Sequence, residues 1–546
     1  MRSIIIYSEK RINDQQDEGD MMSEIKVLDC TLRDGGYCNQ WRFGLQNAQK
    51  VVGALNEAGV EIIECGFLTH SMSYEPDTTR FTRIEQFVDV IPKNRGRKMY
   101  VCMVNFGELD IALLPPFDGT SVEGIRLAFH KKNADKALEL GRAITAKGYK
   151  LFLQAMVSMS YSDNEFLELI EKANQIDPYA FYIVDSFGVM KRNDMMRFFY
   201  LVEHNLHRDI WIGYHAHNNM QLAFSNAQTL VTQPTKHRLI VDTSIYGMGR
   251  GAGNLNTELF VDYLNDSVGS SYQLKPLLKV IDEVLEGFYN TGKWGYSLSN
   301  YLSAAHNCHP NYANYLDDKK TLTVENMDEL FSMIAEEKRG TFDKKYIEEL
   351  YLKYMSRGKV FEERLSQFRA LIDKKKILVI APGPSAELEK EKILVCALSE
   401  NVVSIGINFD YPHFDTDLIF ISNLRRFQNL DKKQYGKAVI TTNIPCENAY
   451  LQVDYASLLN NEESVKDNAG MMLLKFLIQL GVKEIMVAGM DGYTHDNEEN
   501  YAESGMKLVI RKAVLDEMNR GMERMIAAFS QETHIEFLTR PRNLRV

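Results

Sequence analysis

The chain has 546 residues, 45% of them hydrophobic and 25% charged, and it carries a formal net charge of −11 with a sequence pI near 5.7. This length and composition predict a globular protein of two or three domains with sizeable cores. The acidic balance argues against a nucleic-acid partner bound through a broad basic surface, and no window holds the roughly 18 apolar residues that a membrane span needs.

Seven cysteines lie at scattered spacings, without a Cys-x-x-Cys motif or a paired framework. This pattern favours a reducing, cytoplasmic location. Residues 1–23 form a predicted N-terminal extension, whose apolar run from Ile4 to Tyr7 is too short for a secretion signal.

The first predicted strand, around Val27 and Leu28, ends in a turn that presents Arg33 and Asp34 side by side. Taken alone, such a pair is more typical of a surface ion pair. It gains interest from the residues that follow a later strand.

That later strand, residues 209–214, ends in His215 and His217, whose imidazoles point to the same side because alternate residues of an extended chain share a face. Two imidazoles with a carboxylate are typical metal ligands. Nitrogen and oxygen donors with room for water suit Mn²⁺, Mg²⁺, Co²⁺, Fe²⁺ or Zn²⁺, and the sequence leaves the choice open. A glycine-rich loop follows at residues 247–254.

Eight short β-prone runs alternate with segments of helical period, such as residues 134–147 and 164–175. This alternation over about 250 residues predicts a TIM (β/α)₈ barrel at residues 24–268, with active residues at the carboxyl ends of its strands. The runs lie at residues 25–28, 62–63, 99–104, 124–127, 151–156, 180–184, 210–214 and 239–242.

Residues 269–372 are predicted to be mostly helical. One apolar stripe in this region is expected to pack on the barrel or on a second subunit; it comprises Leu274, Leu277, Leu278, Ile281, Val284 and Leu285.

A second alternation predicts a doubly wound, Rossmann-like α/β domain at residues 373–546, with a long helix at residues 469–480. Strands are predicted at residues 377–380, 402–407, 418–421, 438–442, 484–488 and 535–538. A strand followed by a glycine turn places backbone N–H groups where a phosphate could bind, which suggests a nucleotide site. The candidate residues are Gly383, Ser385, Asn408, Asn423 and Asp491.

The Arg33-Asp34 turn, the His215-Ala216-His217 motif and the glycine loop together resemble the metal-dependent aldolase and lyase superfamily of TIM barrels, over roughly residues 24 to 310. This superfamily includes 4-hydroxy-2-oxovalerate aldolase, 3-hydroxy-3-methylglutaryl-CoA (HMG-CoA) lyase and the isopropylmalate synthases. The resemblance implies a metal held by Asp34, His215 and His217, with Asn254 where the lyase branch has a further ligand. It also implies that Arg33 is catalytic and that Glu64 holds it.

The proton-transfer group is left open by the resemblance. Tyr37 stands where the aldolase branch has a histidine base, and residues 247–254 lack the cysteine that the lyase branch uses. Tyr296 matches the tyrosine that protonates the enolate in oxovalerate aldolases. His70, His306 and His309 are further candidates.

The turn at Gly383 to Ser385 and the helix start at residues 468–470 resemble a Rossmann-type group that includes certain CMP-binding sialyltransferases and the 6-hydroxymethylpterin pyrophosphokinase-like proteins. The alternative is that these glycines only shape turns. The resemblance implies a nucleotide or nucleotide-sugar ligand, and a role in making a sugar for a surface polysaccharide.

Three functions follow from these features. The first is a metal-dependent aldolase that acts on pyruvate and an aldehyde through a pyruvate enolate, with Mn²⁺ or Mg²⁺ favoured. The second is a Claisen-type acyl-CoA synthase or lyase, and the third is a nucleotide-sugar-dependent transferase in the C-terminal domain. A homo-oligomer is expected, and the family suggests an aldehyde dehydrogenase as a partner of the post-barrel helices.

Overall fold

The computed structural model describes residues 23–319, 321–411, 413–496, 499–502 and 512–546. The predicted N-terminal extension therefore lies outside the described residues, apart from Ser23. The chain divides into two compact units, with the boundary between Asn314 and Tyr315. The domain boundaries that we expect at residues 268 and 372 stay predictions.

The first unit contains a closed barrel of eight parallel strands, in the order β1-β9-β8-β7-β6-β5-β4-β2, and β1 pairs with both β9 and β2. This confirms the predicted (β/α)₈ barrel. The strands are β1 (Ile25–Asp29), β2 (Ile62–Leu68), β4 (Met99–Asn105), β5 (Gly124–Phe129), β6 (Lys150–Ala155), β7 (Ala180–Asp185), β8 (Trp211–Ala216) and β9 (Leu239–Thr243), with a two-residue strand β3 (Arg80–Phe81) beside β2.

Two short helices follow β1: α1 (Thr31–Asp34) and α2 (Gly36–Asn39). Longer helices connect the barrel strands and bury apolar residues against the barrel. They are α3 (Leu45–Ala58), α4 (Ala134–Ala146), α5 (Asp163–Asn174), α6 (Arg192–Asn205), α7 (Ala223–Val231) and α8 (Thr257–Ser267). A second cluster of buried side chains, among them Leu28, Phe152 and Trp211, comes from the alternate residues of the same strands.

The region after the barrel is helical, as expected. Its helices are α9 (Leu274–Val280), α10 (Glu286–Thr291), α11 (Leu298–Ala305), α12 (Pro310–Asp317), α13 (Val324–Met333), α14 (Glu336–Arg339), α15 (Lys344–Met355) and α16 (Glu362–Ile372). The predicted apolar stripe is wrong at Leu278, which is 56% exposed, whereas Val280 is buried. A wide π-helical turn at Ile281–Leu285 changes the angular spacing of the residues that follow α9.

The second unit contains a seven-stranded sheet, all parallel, in the order β14-β13-β12-β11-β10-β15-β16. This agrees with the predicted α/β fold class. The strands are β10 (Lys376–Ile380), β11 (Val402–Ile407), β12 (Leu418–Ile421), β13 (Ala438–Thr441), β14 (Leu451–Val453), β15 (Glu484–Ala488) and β16 (His534–Phe537). The three-residue strand β14 is too short to give a periodic signal, and sequence analysis missed it.

The helices of this sheet are α17 (Pro384–Leu388), α18 (Lys390–Ala397), α19 (Leu424–Gln428), α20 (Tyr455–Leu458), α21 (Ala469–Gln479) and α22 (Lys512–Phe529). The strand order reverses between β10 and β15, which lie side by side in the middle of the sheet. In doubly wound sheets this reversal opens a crevice at the carboxyl ends of the two strands.

Candidate metal centre

The turn after β1 carries the first charged residues of the site. Helix α1 follows β1 after one residue, and the side chains of Arg33 and Asp34 are both buried. Two side chains fix this short helix from outside: Thr79 Oγ1 donates to Leu32 O at 2.6 Å, and Trp41 Nε1 donates to Arg33 O at 2.8 Å. These two hydrogen bonds hold the backbone of α1 in place.

The residues His215 and His217, at the end of β8, lie beside Asp34. One ligand atom from each of these three buried residues lies within 4.8 Å of the other two. His217 Nε2 is 3.3 Å from Asp34 Oδ2, and among the described residues it has no hydrogen-bond partner. A buried nitrogen lone pair without a donor, next to a carboxylate and a second imidazole, fits a divalent cation.

The protonation states suit the same role. Burial would raise the pKa of Asp34, but the guanidinium of Arg33 and the imidazole of His217 hold it well below its usual value. Burial lowers the pKa of His215 to about 4, although Asp242 acts in the opposite direction. Asp34 is therefore an anion and His215 a neutral imidazole at neutral pH, which are the forms that ligate metals.

Asn254 also reaches this cluster. Its Nδ2 donates to Asp34 Oδ2 at 2.6 Å, and its buried Oδ1 has no hydrogen-bond partner within the described part of the chain. A Cβ on Gly249 would lie 2.5 Å from Asn254 Nδ2, so the glycine loop needs a residue without a side chain there. Asn254 as a further metal ligand stays a prediction, and its unpaired oxygen supports it.

Two of the three guanidinium nitrogens of Arg33 donate to neighbouring carboxylates. Its Nε donates to Glu64 Oε2 at 2.7 Å and its Nη1 donates to Asp34 Oδ1 at 2.6 Å. Its Nη2 is buried and finds no acceptor among the residues that the structure covers. A guanidinium fixed by two carboxylates, with a third nitrogen unpaired beside the ligand cluster, can donate to an oxygen of a bound substrate.

A second layer of charge surrounds the cluster, and sequence analysis missed it. Asp242, at the end of β9, lies 2.8 Å from His215 Nδ1 and pairs with Arg126, which is fully buried on β5. Arg126 also lies 2.8 Å from Glu64. Because Asp242 accepts a hydrogen bond at Nδ1, it leaves Nε2 of His215 as the ligand nitrogen. The available signal was an arginine inside the apolar run of residues 124–127.

The predicted proton-transfer residues Tyr37 and Tyr296 are exposed, unlike the ligand candidates. Tyr37 is 42% exposed, and the guanidinium carbon of Arg250 lies 5.3 Å from the centre of its ring. Tyr296 is 58% exposed and lines a shallow cavity with Tyr246 and Trp294. Among the described residues lining that cavity, Arg33, Asp34, His215 and His217 are absent. The structure does not bring Tyr296 together with them in one cavity.

The histidine candidates have local partners. Nδ1 of His70 accepts a hydrogen bond from Asp110 N at 3.0 Å, and Nδ1 of His309 accepts one from Asn311 N at 3.2 Å. Burial, with Arg250 nearby, lowers the pKa of His309 to about 3. Nδ1 of His70 and of His309 is thus occupied as an acceptor.

Four of the five nucleotide-site candidates in the second unit line one cavity: Gly383, Asn408, Asn423 and Asp491. Ser385 is not among its described lining residues. Its N–H donates to Asp491 Oδ2 at 2.7 Å and its Oγ lies 2.9 Å from Thr539 Oγ1, so its polar atoms hold the turn.

The described helices include none that is long and apolar enough to cross a membrane. A cytoplasmic location stays a prediction.

The fold and the site together define a (β/α)₈-barrel protein with a centre suited to a divalent metal ion. Residues 24–284 match the family model described as HMGL-like, and the chain is an enzyme of the lyase class. The match confirms, for the barrel, the resemblance seen in the sequence.

The chain is also similar to individual proteins. Over 265 residues the chain is 29% identical to a 4-hydroxy-2-oxovalerate aldolase of Geobacillus genomosp. 3; the aligned region covers 44% of this chain and 70% of that protein. Over 275 residues it is 28% identical to an enzyme of the same name from Pelotomaculum thermopropionicum; this aligned region covers 47% of this chain and 75% of that protein. A crystal structure of the N-terminal domain of a proposed aldolase from Bacteroides vulgatus is 27% identical and covers 55% of this chain and 98% of that one, with a TM-score of 0.46.

Proposed function

We propose that the barrel is a divalent-metal-dependent aldolase that breaks or forms a carbon–carbon bond next to the carbonyl of a 2-oxoacid, with pyruvate as the enolisable partner and an aldehyde as the other. The cluster of Asp34, His215 and His217, with the unpaired Nη2 of Arg33 beside it, carries the proposal. The aldolases at 28–29% identity support it.

The chain supplies three parts of the chemistry. A divalent ion, Mn²⁺ or Mg²⁺ by preference, held by Asp34, His215 and His217 would polarise the carbonyl of the 2-oxoacid. Arg33 donates from Nη2 to the oxygen on which negative charge develops as the bond breaks. Glu64 accepts from Nε of Arg33 and holds the guanidinium in place.

Proton transfer is assigned to Tyr37. It follows Asp34 by three residues, at the position where the aldolase branch has a histidine base. Tyr296 stays a sequence-based alternative. The homo-oligomer, the dehydrogenase partner and the role in polysaccharide synthesis also stay predictions.

An acyl-CoA lyase is the second candidate. One observation favours it: Asn254 has a buried, unpaired Oδ1 beside Asp34, at the position where the lyase branch has a further ligand.

The test is deuterium incorporation into the methyl group of pyruvate in D₂O, read by proton NMR. The protein is first freed of metal with EDTA, and incorporation is then compared with and without added Mn²⁺ or Mg²⁺. We expect incorporation with Mn²⁺ or Mg²⁺ and a loss of at least about 100-fold in Asp34→Asn, because both the ligand set and the Arg33 contact are weakened. Asp282→Asn is the matched control, since Asp282 is an exposed residue of the turn after α9. Equal incorporation in EDTA would contradict the proposal, and turnover of an acyl-CoA without methyl exchange would favour the second candidate.

A further inference from the structure

The α/β unit has a cavity at the place where its strand order reverses. The carboxyl ends of β10 and β15 lead into it through the turns at Gly383 and Gly489, and the ends of β11 and β12 contribute Asn408 and Asn423. Ligands of doubly wound sheets bind in this crevice. The barrel chemistry makes no use of it.

One side of the cavity is suited to an anion. Ala469 and Gly470, the first two residues of the 11-residue helix α21, line it. Asn468 Oδ1 accepts from Met471 N, and N–H groups earlier in the first turn have no acceptor inside the helix. Arg426 is the single cationic side chain among the described lining residues.

Another side of the cavity has two buried side-chain oxygens that accept no hydrogen bond from the described residues. Asp491 is only 3% exposed; its Oδ2 accepts from Ser385 N, whereas its Oδ1 is buried with no partner in the described ranges. The buried Oδ1 of Asn408 is likewise unpaired among those residues. A phosphate dianion has no proton to donate to either oxygen. A ligand that satisfies both sides therefore carries an anionic group together with hydroxyl or amino donors.

Aromatic rings complete the cavity. Tyr493 and Tyr501 line it, and the guanidinium carbon of Arg426 lies 5.7 Å from the centre of the Tyr501 ring. Planar rings next to a cation favour a ligand with a flat, stacking group.

We propose that this cavity binds a nucleoside phosphate, with its phosphate at the start of α21 and Arg426, and with ribose hydroxyl or base amino groups donating to Asp491 and Asn408. The inference does not depend on the function proposed for the barrel. It assigns a second ligand site to the chain.

Isothermal titration calorimetry of the full chain tests the site. The probes are the four common 5′-nucleoside monophosphates, their diphosphates, inorganic phosphate and glucose 6-phosphate. We expect at least one nucleotide to bind with a dissociation constant below about 1 mM, and at least tenfold more tightly than phosphate or glucose 6-phosphate. The proposal is overturned if no nucleotide binds at that level, or if inorganic phosphate or glucose 6-phosphate binds as tightly.

Variants locate the site. Arg426→Ala should weaken nucleotide binding at least about tenfold, through the loss of a charge-assisted hydrogen bond. Arg425→Ala is the matched control, because Arg425 lies outside the cavity lining and donates to Leu322 O at 2.7 Å. Asp491→Asn should weaken nucleotide binding but leave phosphate binding unchanged, and Asp34→Asn should change neither. Unchanged binding in a folded Arg426→Ala protein, or loss in Asp34→Asn, would overturn the proposal.

Discussion

Asp242 should control how tightly the centre binds its metal, although it is not a proposed ligand. It is buried, its Oδ2 lies 2.8 Å from His215 Nδ1, and it pairs with Arg126. In Asp242→Asn the side chain keeps its volume. Its single carbonyl oxygen carries no full charge, so it can no longer serve both the imidazole and the guanidinium as the carboxylate does.

The magnitude follows from two effects. Loss of a carboxylate partner of a metal-ligating histidine typically costs 10–100-fold in metal affinity, about 1.4–2.7 kcal/mol. The charge balance acts in the same direction: Arg33 and Arg126 face the carboxylates of Asp34, Glu64 and Asp242, which leaves one negative charge in excess to meet a cation. The substitution removes that excess.

The assay is titration calorimetry of Mn²⁺ into metal-free protein, with thermal unfolding measured in parallel. Asp29→Asn is the matched control, because Asp29 is an equally buried carboxylate at the end of β1 whose oxygens accept from Thr31 N and Thr257 Oγ1. We expect weaker binding by 10–100-fold in Asp242→Asn and less than about threefold change in the control. A folded Asp242→Asn protein with wild-type affinity would refute the role given to Asp242.

Three further predictions address other parts of the molecule. Arg126→Met should lower the free energy of unfolding of the barrel by about 3–5 kcal/mol in urea titrations, because the buried carboxylates of Glu64 and Asp242 lose a shared partner; a change below about 1 kcal/mol would contradict this. Burial lowers the pKa of His309 to about 3 in the folded protein, whereas an unperturbed histidine of the unfolded chain has a pKa of about 6.5. As the pH falls below about 6.5, the unfolded chain takes up a proton at His309 and the folded protein does not, so the folded state loses stability. Between pH 7 and pH 5 the wild type should therefore lose about 2 kcal/mol more stability than His309→Gln, and equal losses would show that His309 is not the group involved. Gly383→Ala should destabilise the α/β unit by about 1–3 kcal/mol in urea titrations, since the added Cβ would lie 2.3 Å from Gly489 O. Gly436→Ala is the control: its Cβ meets no atom within 4 Å among the described residues, so the same titration should show almost no change.

Local patterns were enough to predict the strands of the barrel and the metal-suited cluster. Period-two apolar runs identify strands without knowledge of their partners, and His215 and His217 come at the end of such a run. The resemblance to the aldolase and lyase superfamily added Asp34 and Asn254. The same rule placed Gly383, Asn408, Asn423 and Asp491 at strand ends that share one cavity. These features depend on residues that are neighbours in the chain.

The sequence by itself thus determined two parallel α/β sheets and the residue types at their carboxyl edges, because hydrophobic periodicity is a local property. Only the tertiary structure decided that Arg126 meets Asp242, 116 residues away, since that contact depends on how the barrel closes. It also decided that Tyr296 is exposed and that Ser385 bonds to Asp491 and Thr539, which are distant from it in the chain. Whether a polar side chain faces a ligand or a neighbouring loop depends on packing between segments distant in sequence, which periodicity does not encode.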